Sequence, residues 1–511
     1  TPSASVSNFT TLNWHNSNIT SLANGIAIEA GAGNSATTFT ALAFQDCTLS
    51  ATAHTMTWSN VNMNRMAGAG GQPAVNVFGF TNLGWNNSKI ASLVDGVTIE
   101  AGQPNAPATM QLSNLVFQDC TKSIGSRGGG ALNVRLVNDT FSLRNISFKN
   151  NTVNSNANIP YGGALHIIQN AVAGKDSITD IQNVTFEGNS AKQGGAIYHS
   201  MTPGSKATYK GCTWKNNNTP KGFGGGLNLV SINGSSLIMT DCVFDGNTAS
   251  TQGGAMSVSA GDDSISLTNV RFTNNNATAS NNKGGALYII QVPPSTKTPA
   301  NTTTLTNITF SGNSAQNGGG LAHVMTAGAT ANYTRCTWQG NTAPTGFGGG
   351  LQLQMDSASN IVMSNNAFSS NSAMDQGGAM SLQAGKATVS FHNMTFTNNS
   401  ITGTSNTTRG GAIHIIQSPP AGTLPANAFT ELHNITFKDN SAPNGGGIHH
   451  SLSSGANTSY TKCVWQGNTA PTGFGGGLQV QMDNTSSFNM TDNTFTNNSA
   501  QHGGGLSHNM T

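Results

Sequence analysis

Hydrophobic and polar residues alternate along this chain in short, recurring stretches. In NITFSGNSAQNGGGLAHV, Ile308 and Phe310 fall on one face of an extended strand, and Asn307 and Thr309 fall on the other. The same alternation recurs at Ile146/Phe148, Val184/Phe186, Met394/Phe396 and Ile435/Phe437. A second strand follows each time: in GGGLQLQMD, Leu351, Leu353 and Met355 share a face opposite Gln352 and Gln354. Between the two lies a Ser/Thr/Asn-rich turn and a glycine pair, which suits tight backbone geometry or close approach of neighbouring segments. No apolar stripe of helical period persists, so the pattern predicts an all-β chain.

The phrase has a register. Its aromatic positions are Phe148, Phe186, Trp214, Phe244, Phe272, Phe310, Trp338, Phe368, Phe396, Phe437, Trp465 and Phe495. The commonest steps are 28 and 30 residues, broken by longer ones of 38, 38 and 41. Repeats of this length mark a solenoid. A longer period lies above it: Trp214 to Trp338 is 124 residues and Trp338 to Trp465 is 127, so four coils form one block. The expected fold is a right-handed parallel β-helix. Its coils stack at about 4.8 Å, the twelve aromatics make a core ladder, and the turn Asn residues make an amide ladder. The hand follows from the crossover preference of parallel strands.

Residues 1–120 are a variant of the same theme. WHNSNITSLANGIAIEAG from Trp14 returns as WNNSKIASLVDGVTIEAG from Trp85, and FQDC from Phe44 returns from Phe117. We therefore expect N-terminal variant coils over 1–120, regular coils over 121–511, and one continuous solenoid.

The pairing of FxxN with GGA and a following Ile, Leu or Met, as in FEGNSAKQGGAIYH from Phe186 and FTNNNATASNNKGGALYI from Phe272, resembles the repeats of chlamydial polymorphic outer-membrane proteins, of the pectin-lyase-like β-helix superfamily. The resemblance runs from about Phe117 onward, and it implies a β-helical surface passenger used in adhesion. No C-terminal barrel-like segment is seen.

Composition narrows the partners. Charged residues are only 8% of the chain, net charge is +2 and there are 62 glycines, so neither a nucleic-acid surface nor a charged disordered tail is indicated. No run of about 18 apolar residues predicts membrane insertion. Thr1-Pro2-Ser3 opens without a signal-like segment, as in a mature or excised piece. The last residues, GGGLSHNMT, resemble GGGLAHVMT from Gly318. An uncapped coil of that kind invites continuation or end-to-end self-association.

Asn-X-Ser/Thr sequons number about twenty-two, against roughly fourteen expected by chance at this composition. Asn145, Asn183, Asn307, Asn393 and Asn434 each stand three residues before a core aromatic, where alternation turns them outward; Asn138, Asn233, Asn332, Asn457 and Asn489 are further candidates for N-glycans. Cys212, Cys336 and Cys463 each lie two residues before a Trp, and only Cys212 meets a cysteine, Cys242, at the same register one coil on. These two make a candidate disulfide; Asn366 and Asn493 stand where the other two would find a mate. Cys47 and Cys120 take the turn-Asn position of FQDC.

His199, His323 and His450 recur in the coil before each Trp. Four coils apart they would be about 19 Å from one another, too far to share a metal, so we read them as imidazoles satisfying backbone groups at a strand end. No metal site or cofactor is expected. Paired carboxylates could mark a polysaccharide lyase or hydrolase, but Asp262-Asp263 in SAGDDS reads as a solvated turn and no catalytic residue is assigned. The swollen connections after His166, Tyr288 and His414, such as VPPSTKTPANTTT and SPPAGTLPANAFT, would project as a row suited to lateral contacts or glycans. The function expected is a non-enzymatic, extracellular structural glycoprotein, a rod for a surface fibre, hair or coat. An adhesin passenger binding host or carbohydrate ligands is the alternative, and a β-helix lyase or hydrolase a weaker one.

Overall fold

A computed structural model describes residues 4–510 apart from 23, 32–33, 69–71, 102–106, 123–127, 154–160, 173, 232–233, 293–301, 327, 357, 406 and 419–427. The chain is an all-β parallel β-solenoid of about 14 turns. Its residues fall into two compact units, Thr1–Ala249 and Ser250–Thr511.

One coil of the second unit shows the plan. The strand after the glycines, Leu321–Met325, leads to a pair of strands, Thr330–Thr334 and Thr337–Gln339, and then to a short one, Thr342–Ala343. Each pairs in parallel with its counterpart one coil on, with no slip. Leu321 faces Leu351, which faces Met380, then Ile413, Ile448 and Leu478. Phe310 faces Trp338, then Phe368, Phe396, Phe437, Trp465 and Phe495. In the first unit the row Phe117, Phe148, Phe186, Trp214, Phe244 is built alike. The rings stack with centroids 4.3 Å apart at Trp338–Phe368 and 5.1 Å apart at Phe148–Phe186. Of the twelve expected core aromatics all are buried except Phe495, which is half-buried.

The corners explain the asparagines. Asn145, Asn183, Asn307, Asn393 and Asn434 all have φ between 53° and 55°, the left-handed region that Asn tolerates better than most residues. The first three bend the chain between two strands, and Asn393 and Asn434 bend it inside the ten-residue strands Thr388–Thr397 and Phe429–Lys438. The bend shifts the inward parity by one, so Leu143 and Ile146, three apart, are both buried. A second left-handed corner follows each aromatic, and in the first unit it reads Asn150, Gly188, Asn216, Gly246. The alternation is steric: a Cβ on Gly188 would lie 2.6 Å from the Asn150 amide oxygen leaning over it.

Candidate functional site

The interior of the regular coils is polar at two columns, and both are built from the repeat. The Asn one place beyond the second corner is buried and its amide is saturated. Asn189 Nδ2 donates to the Phe148 carbonyl (3.1 Å) and to Asn217 Oδ1 (2.9 Å), and its Oδ1 accepts from the Asn151 backbone N–H and the Asn151 amide, both at 2.9 Å. In the second unit Asn313, Asn341, Asn371, Asn399, Asn440 and Asn468 continue the same scheme. An amide has two donors and two acceptor sites, and the ladder uses all four.

The second polar column corrects the reading of the histidines. His199 is held by side chains, not by backbone: Nδ1 meets the Tyr209 hydroxyl at 2.8 Å and Nε2 meets Gln169 Oε1 at 2.8 Å. His323 repeats this with Tyr333 and Gln291. His450 keeps the tyrosine bond, to Tyr460 at 2.7 Å, while Gln417 Oε1 accepts instead from the Thr458 hydroxyl at 3.3 Å. Burial pushes all three imidazoles down to about 3, so they are neutral at physiological pH. The tyrosine ten residues on and the glutamine of the preceding coil's HIIQ or YIIQ were the signal that the sequence held.

The sequon asparagines that precede the core aromatics are exposed, all five. Asn307 Nδ2 donates to Asn269 Oδ1 and Asn434 Nδ2 to Asn393 Oδ1, each at 2.8 Å, which leaves one amide hydrogen of each for substitution. Asn457 and Asn489 are exposed and Asn332 is half-buried. Asn138 is buried, its Oδ1 accepting from the Val172 backbone N–H at 2.7 Å. Asn233 lies outside the described residues, as do most of the long connections, 293–301 and 419–427.

Cys212 and Cys242 are both buried and stand as free thiols, Cys212 Sγ donating to the Ile181 or Lys210 carbonyl at 3.4 Å and Cys242 Sγ to the Thr240 carbonyl at 3.2 Å. The nearness of the two thiols lowers Cys212 and raises Cys242. Cys336 and Cys463 have Asn in place of the second cysteine, and Asn366 and Asn493 accept their backbone N–H groups at 2.7 and 2.8 Å. Burial raises these two thiols to about 12 and about 11. Asp263 is buried and its carboxylate accepts from the Gly261 N–H at 2.7 Å, tying its turn. Among the described residues no group of three or more His, Cys, Asp or Glu is placed to hold a metal.

The alternation of buried and exposed residues breaks at one outward column. The second residue of the strand after the glycines points away from the core, yet His166, Tyr288, His414, His449 and Gln479 are all buried. A flanking column covers them: Tyr161 lies against Tyr198 with ring centroids 4.0 Å apart, and Arg409 Nη1 reaches His449 Nε2 at 3.3 Å. This outer face is therefore a second packed layer with grooves of its own.

A parallel β-solenoid held by an amide ladder and repeated buried polar triads is the class that this geometry defines. Three of its coils, residues 183–200, 307–323 and 434–451, match the Chlamydia polymorphic membrane protein repeat. Each matched segment begins on an exposed corner Asn and spans the core Phe, the ladder Asn, the glycines and the triad histidine. Neither a curated protein nor a solved structure matches the chain.

Proposed function

We propose that this chain is a non-catalytic, surface-displayed structural glycoprotein whose solenoid carries N-glycans on the corner asparagines. The observation behind it is the matched coil. In three copies, 124 and 127 residues apart, His, Gln, Tyr and ladder Asn are turned into internal hydrogen bonds, while the Asn before the aromatic is offered to solvent. Asn145, Asn183, Asn307, Asn393 and Asn434 are the preferred glycan sites; Asn457 and Asn489 follow, and the buried Asn138 does not carry one. Self-association into a fibre, lateral or end-to-end, belongs to the same reading. In an oxidising compartment the Cys212–Cys242 pair closes to a disulfide.

Intact-mass analysis of protein from its native source, with and without an N-glycosidase, tests the proposal. The expected result is a mass loss, with Asn-to-Asp conversion at the corner positions. Unchanged mass would remove the glycoprotein account. It would favour a second reading, supported by the Chlamydia polymorphic membrane protein repeats: an adhesin passenger at an outer surface. Filaments by electron microscopy would support the fibre, and a protein monomeric at high concentration would argue against it.

A further inference from the structure

Two histidines that the repeat does not call for stand side by side on the outer face of the second unit. His392 lies in the strand Thr388–Thr397 and His433 in Phe429–Lys438, and the two pair in register one coil apart. Each is four residues before its core aromatic, on the outward side of the alternation, and each is half-buried. The same places hold Thr268 and Thr306 one block earlier, and Arg144 and Gln182 in the block before that. The coil is built equally well with any of these residues, so the fold needs an imidazole at neither place.

The setting suits a cation. The two rings have centroids 6.1 Å apart and planes at 53°. A metal–nitrogen bond of about 2.1 Å puts the ion roughly 3.2 Å from a ring centroid, so two rings on one ion lie at most about 6.4 Å apart, and a tetrahedral angle draws them in by about 1 Å more. The adjoining corners are tied to each other: Asn434 Nδ2 donates to Asn393 Oδ1 at 2.8 Å, which holds the register of the strands that carry the rings. The coils on either side present only the hydroxyl residues Ser364 and Thr461 to this column. Glu431, two residues before His433 on the same side, is half-buried, and among the described residues it forms no ion pair. Neither strand carries a Lys or Arg before its corner Asn, so nothing positive on these strands competes for that carboxylate's field.

We infer that His392 and His433 bind a divalent first-row transition ion, Zn2+ or Cu2+, through one nitrogen of each ring. Water completes the coordination, and the Glu431 carboxylate lends negative charge from nearby. Imidazole nitrogen suits these ions, whereas Mg2+ and Ca2+ take oxygen ligands. With two protein ligands the site is open and its ion exchangeable, and a bound ion fastens two neighbouring coils across the sheet. No glycan takes part, so the site and the glycoprotein reading can fail separately.

Titration calorimetry tests the site on the full chain, untagged and made without glycans, in mildly alkaline buffer because a coordinating imidazole must give up its proton. Zn2+ binds with one ion per chain, and Mg2+ gives no heat. His392→Thr and His433→Thr each weaken Zn2+ by at least about tenfold, the loss that removing even an outer support of a metal ligand produces. His15→Asn, at an exposed histidine elsewhere, leaves binding unchanged. Threonine stands at both places in the preceding block, so these variants keep the fold, and circular dichroism melting checks it. Electron paramagnetic resonance with Cu2+ reads the unaltered chain and shows splitting from two nitrogens. No heat with Zn2+, a Cu2+ spectrum with a single nitrogen, or undiminished binding by either folded threonine variant would each overturn the site.

Discussion

Within the first unit one column of the coil is filled in two ways. Cys47, Met66, Leu93 and Cys120 occupy it in the variant coils; Asn151, Asn189, Asn217 and Asn247 occupy it in the regular ones. Both fillings are buried. The apolar residues make no demand on each other beyond contact, so a change at one is felt as lost packing. The amides answer to both neighbours, because each oxygen satisfies two donors of the coil before and each nitrogen reaches a carbonyl of the coil before and an amide of the coil after. The aromatic row changes with it: Phe44, Met63 and Ile90 occupy it in the variant coils, whereas Phe117, Phe148 and Phe186 stack nearly parallel, 8° and 4° apart. Where the amide column begins, the coils become interchangeable.

The largest effect should come from breaking the ladder inside. Asn189→Ala leaves the Asn151 backbone N–H and one of its two amide hydrogens without an acceptor and the Phe148 carbonyl without its amide donor, a cost of about 3 kcal/mol or more. Cys120→Ala, in the apolar part of the same column, should cost about 1 kcal/mol. Denaturant unfolding measures both, and hydrogen exchange should show the first change spreading over the coils of Asn151 and Asn217. Equal costs would mean that the ladder is decoration on a packing-driven stack.

How far the sequence reveals this depends on which residue is asked. Phe310 and Leu351 disclose strand, face and coil together, because period-two alternation and a fixed 28- or 30-residue step leave one arrangement. The ladder asparagines were legible from their spacing alone. The corner asparagines were legible as outward residues, though the cause is a left-handed bend that resets parity rather than unbroken alternation. The triad left only a partial trace, the ten-residue step from His199 to Tyr209 and the Gln169 of HIIQ, because the three come from separate strands and meet only when the coils stack. Arg409 was hidden for the same reason: its partner Gln481 is 72 residues away, and the outer layer that it covers has no periodic signature of its own.

Acid should separate the two kinds of coil without any mutation. His199 titrates near 6.5 when unfolded and at about 3 in the fold, so the native state favours the neutral ring. Its contribution is complete above pH 6.5 and is lost as pH falls toward 3, by an amount on the order of a few kcal/mol. The ladder amides do not titrate. Hydrogen exchange at pH 7 and pH 4 should therefore show protection falling first around His199 and Tyr209, with the variant coils of Trp58 and Leu93 holding longer. His199→Gln, keeping a neutral side chain there, should flatten that dependence; an unchanged profile would mean that other groups drive acid loosening.

The smallest effect concerns how strictly the regular coils must match. Gly320 sits where most coils have Ala, and a Cβ there would meet Trp338 Cδ1 at 2.9 Å and the Gly350 carbonyl at 2.7 Å. Yet the first unit has Ala196 at the corresponding place beside Trp214, fully buried and accommodated. The ring and backbone can thus settle around a methyl group, and Gly320→Ala should cost only about 1 kcal/mol rather than the full penalty of an overpacked core. Trp338→Ala removes the closest side-chain contact, so Gly320→Ala should cost less in that background, a coupling of about 0.5 kcal/mol or more in a double-mutant cycle. If Gly320→Ala instead unfolds the coil, stacking in the second unit is stricter than in the first, and identical repeats there reflect a packing requirement. If the two changes simply add, the Trp edge is not what keeps that glycine.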